Sequence, residues 1–211
     1  MLAFFTIVIM LLVGYAYLVE GLFTALIMCG NVVGAGLVAF NFWEPLANVL
    51  EPAFGGSGYE DFLCLILVFC LALGLLRTIT NALANTELSF PPAIQRPGGA
   101  LFGLITGYLV SGFLICALQT LPWHERFMFF DPHYDPDTNP LRRILPPDHV
   151  WLAMMHRAGA TGLGGEPFDP HGTFELRYAR YRRHTEERDP LKYNGEFDPD
   201  AYRAPFGTPA Q

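Results

Sequence analysis

Long apolar runs dominate the first half of the chain. Across residues 2–43 only Glu20 carries a charge. A single helix of about 42 residues would be roughly 63 Å long, about twice the thickness of the hydrocarbon core of a bilayer. The run must therefore fold back on itself. We predict the turn at Glu20-Gly21, where the carboxylate can reach the interface and glycine tolerates the backbone of a tight turn.

Two further apolar runs follow, each bounded by proline and polar residues. The first begins after Glu60-Asp61 and contains Arg77, whose long side chain can snorkel to the interface, whereas the second, after Pro97, has no charge. The predicted spans are about 2–19, 22–42, 62–84 and 98–121, with polar loops over 44–61 and 85–97. Trp43 would then lie at a membrane interface.

Composition divides the chain at the end of the fourth run. Residues 1–121 carry six acidic and two basic side chains, whereas residues 122–211 carry 14 acidic and 11 basic ones and 12 of the 17 prolines. This division predicts a membrane domain over 1–121 and a polar tail, rich in proline and aromatic residues, over 122–211. The fold class is therefore all-α, a four-helix transmembrane bundle with a C-terminal extramembrane tail that contains short helices, near 148–157 and 173–187.

Charge also bears on partners and topology. A net charge of −7 without a basic cluster argues against nucleic acid and leaves the lipid bilayer as the expected surroundings. Arg77 and Arg96 flank the third-to-fourth connection, whereas the 44–61 loop carries only acids, so the positive-inside rule predicts a cytoplasmic 85–97 loop and extracytoplasmic termini. The first run lacks a positive segment before it, so we expect a retained span rather than a cleaved signal peptide.

Small residues at four-residue spacing are the sharpest pattern. They are Gly99, Gly103, Gly107 and Ser111 on the fourth span, and Gly30 and Gly34 on the second. Because apolar attraction between helices is weak in lipid, such stripes allow the close backbone approach that holds helices together. Packing within the bundle is the prediction, and a homo-oligomer interface or a narrow conduit is the alternative.

Residues typical of catalysis or metal binding do not form a recognisable pattern. All four cysteines lie in apolar runs, no Cys/His pair has metal-ligand spacing, and the tail contains neither serine nor cysteine. We predict no catalytic residues, no metal and no cofactor. A membrane-associated hydrolase that uses the acidic residues of the tail is the weakest alternative.

The tail has a set of aromatic and basic side chains that are candidates for binding the membrane surface or a partner. They are Trp123, Phe127, Tyr178, Tyr181, Arg182 and Arg183. The first two directly follow the fourth span, as expected of an interfacial segment. The other four belong to the second tail helix, for which a self-packed subdomain is the alternative.

Two segments carry a family resemblance. Residues 95–107 (QRPGGALFGLITG) resemble the entry into the last helix of the colicin V production protein family, and residues 20–23 and 42–47 are similar to its opening hairpin. The family typically has arginine at the hairpin turn, where this chain has Glu20. The resemblance covers a little over half of the chain and implies a four-span inner-membrane protein of bacteria.

The family resemblance implies involvement in export or envelope tolerance without a known reaction. We therefore expect a non-enzymatic accessory or scaffold factor in export or envelope homeostasis, with an unidentified envelope protein as its partner. The alternative is an oligomeric channel or small transporter built on the glycine-lined fourth helix.

Overall fold

The chain is helical wherever its structure is described. A computed structural model describes residues 2–54, 59–84, 91–121, 147–158 and 174. The helices are α1 (Leu2–Glu20), α2 (Leu22–Phe54), α3 (Tyr59–Leu83), α4 (Pro92–Gln119) and α5 (Pro147–Ala158). The first four are long and apolar enough to cross a membrane, which confirms the predicted all-α fold with four apolar helices.

A single residue separates α1 from α2. Gly21 has a φ of +101°, a region that side chains disfavour and glycine adopts freely. Its N–H donates to the carbonyl of Tyr17 (2.9 Å), which completes α1, and its carbonyl accepts from the N–H of Ala25 (3.2 Å), which begins α2. The turn therefore lies where the sequence predicted it.

The helices do not pack in chain order. α1 and α2 are consecutive but make few contacts, because α4 lies between them and packs against both. α3 packs on another face of α2, where the amide of Asn31 donates to the hydroxyl of Thr80 (3.0 Å). The order of neighbours across the bundle is therefore α1, α4, α2, α3.

Three helices extend into segments predicted as loops. α2 continues through Glu44-Pro45 to Phe54, α3 begins at Tyr59 and α4 begins at Pro92, so the predicted loops are wrong over 44–54, 59–61 and 92–97. Trp43 and Ala47, one turn apart on the extension of α2, are only 2% and 3% exposed, and this burial favours the continued helix. Trp43 is thus a core residue of the protein. Pro92 occupies a first-turn position, where the missing N–H costs no helical hydrogen bond.

Candidate functional site

The tail is attached to the bundle through α5. This helix packs mainly against α4 and also against α2. The sequence predicted a helix near 148–157, and the structure has it over Pro147–Ala158. Asp148, Trp151 and Met155 are buried on the face that meets the bundle, and Met154 beside them is half-buried. The second tail helix, expected over 173–187, lies outside the described residues apart from Phe174.

Two glycines outside the predicted stripes make room for α5. A Cβ atom at Gly36 on α2 would overlap the ring of Trp151, and one at Gly112 on α4 would overlap the carbonyl of Pro147. The side chain of Trp151 is 0% exposed as a result. Both positions therefore require glycine as long as α5 is docked.

Five rings form an aromatic cluster around Trp151: Phe40, Phe69, Phe113, Trp151 and Phe174. Phe113 stacks on Phe69 with ring centroids 3.8 Å apart, and its edge meets Trp151 at 5.7 Å. Phe40 lies 6.3 Å from both Phe113 and Trp151 and 5.9 Å from Phe174. Because each such pair adds about 0.5–1.5 kcal/mol beyond simple burial, the cluster joins α2, α3 and α4 firmly to two parts of the tail.

A buried polar contact fixes the first turn of α5. The amide of Gln119 donates to a carboxylate oxygen of Asp148 (3.3 Å), and these residues are 3% and 1% exposed. The thiol of Cys116 faces the carbonyl of Asp148 at 3.9 Å. Since a buried carboxylate is costly unless it is hydrogen-bonded, this contact favours one position of α5 along the end of α4.

The stripe of small residues on α4 faces α1. A Cβ at Gly103 would lie 2.9 Å from the Cβ of Tyr17 and 3.0 Å from the Cα of Gly14. At Gly107 it would lie 2.8 Å from the Cα of Met10, and at Gly99 it would overlap the carbonyl of Tyr17. The backbones of α1 and α4 therefore approach closely along three turns.

The remaining small residues have different surroundings. Ser111 is buried, and its hydroxyl donates to the carbonyl of Tyr108 (2.8 Å) within α4. Gly34 faces α3, where a Cβ would lie 3.2 Å from Leu76. Gly30 has no atom of the described chain within 4 Å of such a Cβ. The shorter stripe thus contributes one close helix contact.

The three charged residues on which the predicted turn and membrane orientation rest are all exposed. Glu20 lies at the end of α1, Arg77 within α3 and Arg96 in the second turn of α4. The six candidates for membrane or partner binding, Trp123, Phe127, Tyr178, Tyr181, Arg182 and Arg183, lie outside the described residues.

Sequence reasoning missed the residues of α2 and α4 that receive α5. Gly36 and Gly112 were visible as additional small residues on the second and fourth spans, but they fall outside the four-residue spacing. Asp148 and Gln119 lie 29 positions apart, and no local pattern connects them. Among the described residues, no group of three or more histidine, cysteine or acidic side chains could hold a metal ion.

Comparison with known proteins identifies the family of the chain. The family model described as "Colicin V production protein" matches residues 2–130, more than half of the chain. No curated protein and no solved structure matches it. The matched stretch contains all four apolar helices, as expected of a multi-pass membrane protein. The chain therefore belongs to the colicin V production protein family.

Proposed function

We propose that this protein is a non-enzymatic accessory or scaffold factor of the bacterial inner membrane, acting in export or envelope homeostasis. Its family membership supports a role connected with colicin V production. The docking of α5 is the observation that carries the scaffold role. The aromatic cluster and the Asp148–Gln119 contact join α5 and Phe174 to the bundle, so a partner bound at this part of the tail would be held in a fixed position relative to the bundle.

The packing of α4 favours a scaffold over the alternative of a channel. The glycine stripe is covered by α1, so the smooth face of α4 is not available to line a conduit. Two hydroxyls buried on α4 are bonded within their own helix, Thr106 to the carbonyl of Phe102 (2.8 Å) and Ser111 to that of Tyr108 (2.8 Å). A conduit needs polar groups that are free to bond a passing solute, whereas both of these hydroxyls donate their proton within α4.

The proposal places both termini outside the cytoplasm. The support is the charge distribution, with Arg77 and Arg96 flanking the connection between α3 and α4. One new cysteine at Gln211, in a background without the four native cysteines, tests this orientation with a membrane-impermeant maleimide on intact spheroplasts. Labelling would support an extracytoplasmic tail, and protection until lysis would reverse the orientation.

Partner capture by the tail tests the scaffold role itself. One variant carries alanine at Tyr178, Tyr181, Arg182 and Arg183. A matched control carries alanine at two other tyrosines and two other basic residues of the tail, Tyr193, Tyr202, Lys192 and Arg203. After crosslinking in cells, we expect the first variant to lose the co-purifying envelope protein and the control to keep it.

Two results of this capture experiment would contradict the proposal. Undiminished capture by the first variant would exclude these four side chains as the binding surface. Equal loss in both variants would refute a specific surface, because the control changes the same residue types elsewhere. Neither variant alters α5 or Phe174, so the docked part of the tail is preserved in both.

A further inference from the structure

The long helices have fixed directions relative to the hairpin turn at Gly21. α4 begins beside this turn, since a Cβ at Gly99 would lie 2.9 Å from the carbonyl carbon of Gly21. α2 leaves the turn in the same direction, and α3 returns towards it, with Thr80 near the end of α3 bonded to Asn31 in the first third of α2. The start of α3 and the end of α4 therefore lie at the end of the bundle away from the turn, which we call the distal end.

The aromatic cluster and α5 lie well inside the distal end. Gly36, one of the two glycines that contact α5, precedes Glu44, the first charged residue of α2, by eight positions. Gly112, the other, precedes the last residue of α4 by seven positions, and Phe69 of the cluster follows Asp61 by eight. At 1.5 Å per residue, each separation is about 10–12 Å along its helix. Three helices thus agree on the depth at which α5 is docked.

That depth lies within one leaflet of a bilayer. The hydrocarbon core is about 30 Å thick, so each leaflet contributes about 15 Å. Charged side chains are costly in hydrocarbon, so Glu44 of α2 and Asp61 of α3 mark the border of the apolar region at the distal end. A surface about 10–12 Å further in faces acyl chains wherever the protein itself does not cover it.

The middle of α5 has the composition that such surroundings require. Residues 150–155 (VWLAMM) are all apolar. Trp151 and Met155 are buried against the bundle, whereas Val150 is 42% exposed and Ala153 is also exposed, on the side away from it. A helix with one face in water carries polar residues on that face, whereas a helix that is apolar all round lies in a core or in a membrane. The ionisable residues of α5 are confined to its two ends: Asp148, His149, His156 and Arg157.

We propose that α5 is inserted into the leaflet of the bilayer at the distal end, with acyl chains against Val150 and Ala153. Its first turn is held at the end of α4 by the contact between Asp148 and Gln119. Arg157 lies in its last turn and has a side chain long enough to extend towards the headgroups. The tail, expected to be extramembrane throughout, would thus enter the membrane with this helix. The inference depends neither on the side on which the tail lies nor on partner capture.

Spin labelling of the full chain in liposomes tests this position. In a background with alanine at the four native cysteines, a nitroxide is attached to one new cysteine at Val150 or Ala153. Relaxation by oxygen, which concentrates in hydrocarbon, is compared with relaxation by a water-soluble nickel chelate. Leu67, a 48% exposed residue of α3 six positions after Asp61, is the matched lipid-facing control. A free nitroxide in buffer gives the value for water.

We expect the oxygen-to-nickel ratios at Val150 and Ala153 to resemble that at Leu67, with depths that agree to within one helical turn, about 5 Å. Ratios as low as that of the free nitroxide would mean that α5 faces water and would overturn the proposal. Protection from both relaxing agents would mean that another part of the protein covers this face, which also overturns it. A water-like ratio at Leu67 would refute the membrane position of α3 on which the inference rests.

Discussion

Replacing Trp151 measures how strongly α5 is held on the bundle. Truncation of a fully buried tryptophan to alanine costs about 3–5 kcal/mol. The buried indole N–H has no acceptor among the described residues, and removing such an unsatisfied donor returns about 1–3 kcal/mol. With the middle of each range, the net cost of Trp151→Ala is about 2 kcal/mol. Trp151→Phe keeps a ring against Phe40 and Phe113 and removes the same donor, so we expect it to lie within about 1 kcal/mol of the wild type.

Cys116 reports the undocking of α5. Its side chain is 0% exposed, and its thiol faces the carbonyl of Asp148 in the first turn of α5. In a background with alanine at the other three cysteines, a small maleimide can reach Cys116 when α5 opens locally. A cost of about 2 kcal/mol corresponds to labelling roughly 30-fold faster for Trp151→Ala. Trp151→Phe should stay within about fivefold of the wild type.

Two results would contradict this reasoning. Wild-type labelling of Cys116 in Trp151→Ala would mean that the aromatic cluster does not hold α5. Equally fast labelling in Trp151→Phe and Trp151→Ala would mean that the indole N–H contributes a favourable interaction. Leu75→Ala, which truncates an exposed side chain on α3, serves as the control and should label at the wild-type rate.

Two further predictions concern contacts between the apolar helices. Gly103→Leu forces a side chain against Tyr17 and should lower the free energy of unfolding by about 1–3 kcal/mol. Gly30→Leu meets open space and should change it by less than about 0.5 kcal/mol. Thermal unfolding in detergent compares the two variants, and equal stability would contradict the packing of α4 on α1. Asn31→Leu removes the hydrogen bond to Thr80 and should cost about 0.6 kcal/mol. A double-mutant cycle with Thr80→Val checks this value, and strict additivity would exclude the bond.

The sequence predicted those features that depend on local chemistry. A long uncharged run must form helices in lipid, and only a residue such as Gly21 permits a turn of one residue between them. The short tail helix near 148–157 was also predicted, and Trp151 and Met155, one turn apart, lie on its buried face. Neither pattern tells what the buried face packs against. The glycine stripe similarly indicated a close neighbour for α4 without indicating that this neighbour is α1.

The errors have a common physical origin. Pro45 and Pro92 were interpreted as breaks, but proline stops a helix only where the lost hydrogen bond is not compensated. The burial of Trp43 and Ala47 compensates it in α2. In α4 the first-turn position removes the cost of Pro92, whereas Pro97 lies inside the helix. Burial of that kind depends on α3 and α4, which lie far along the chain, and local patterns contain no information about them.

The placement of α4 between α1 and α2 has a consequence for biosynthesis. Helices enter the membrane in the order in which they are translated. α1 packs mainly against α4, so it contacts its main neighbour only after α4 has been translated. Until then α1 and α2 form a hairpin that is held by its one-residue turn and few side-chain contacts. The bundle can therefore pack only after α4 has inserted. A chain that ends before α4 would leave the α4-binding face of α1 uncovered and accessible to the quality-control proteases of the membrane.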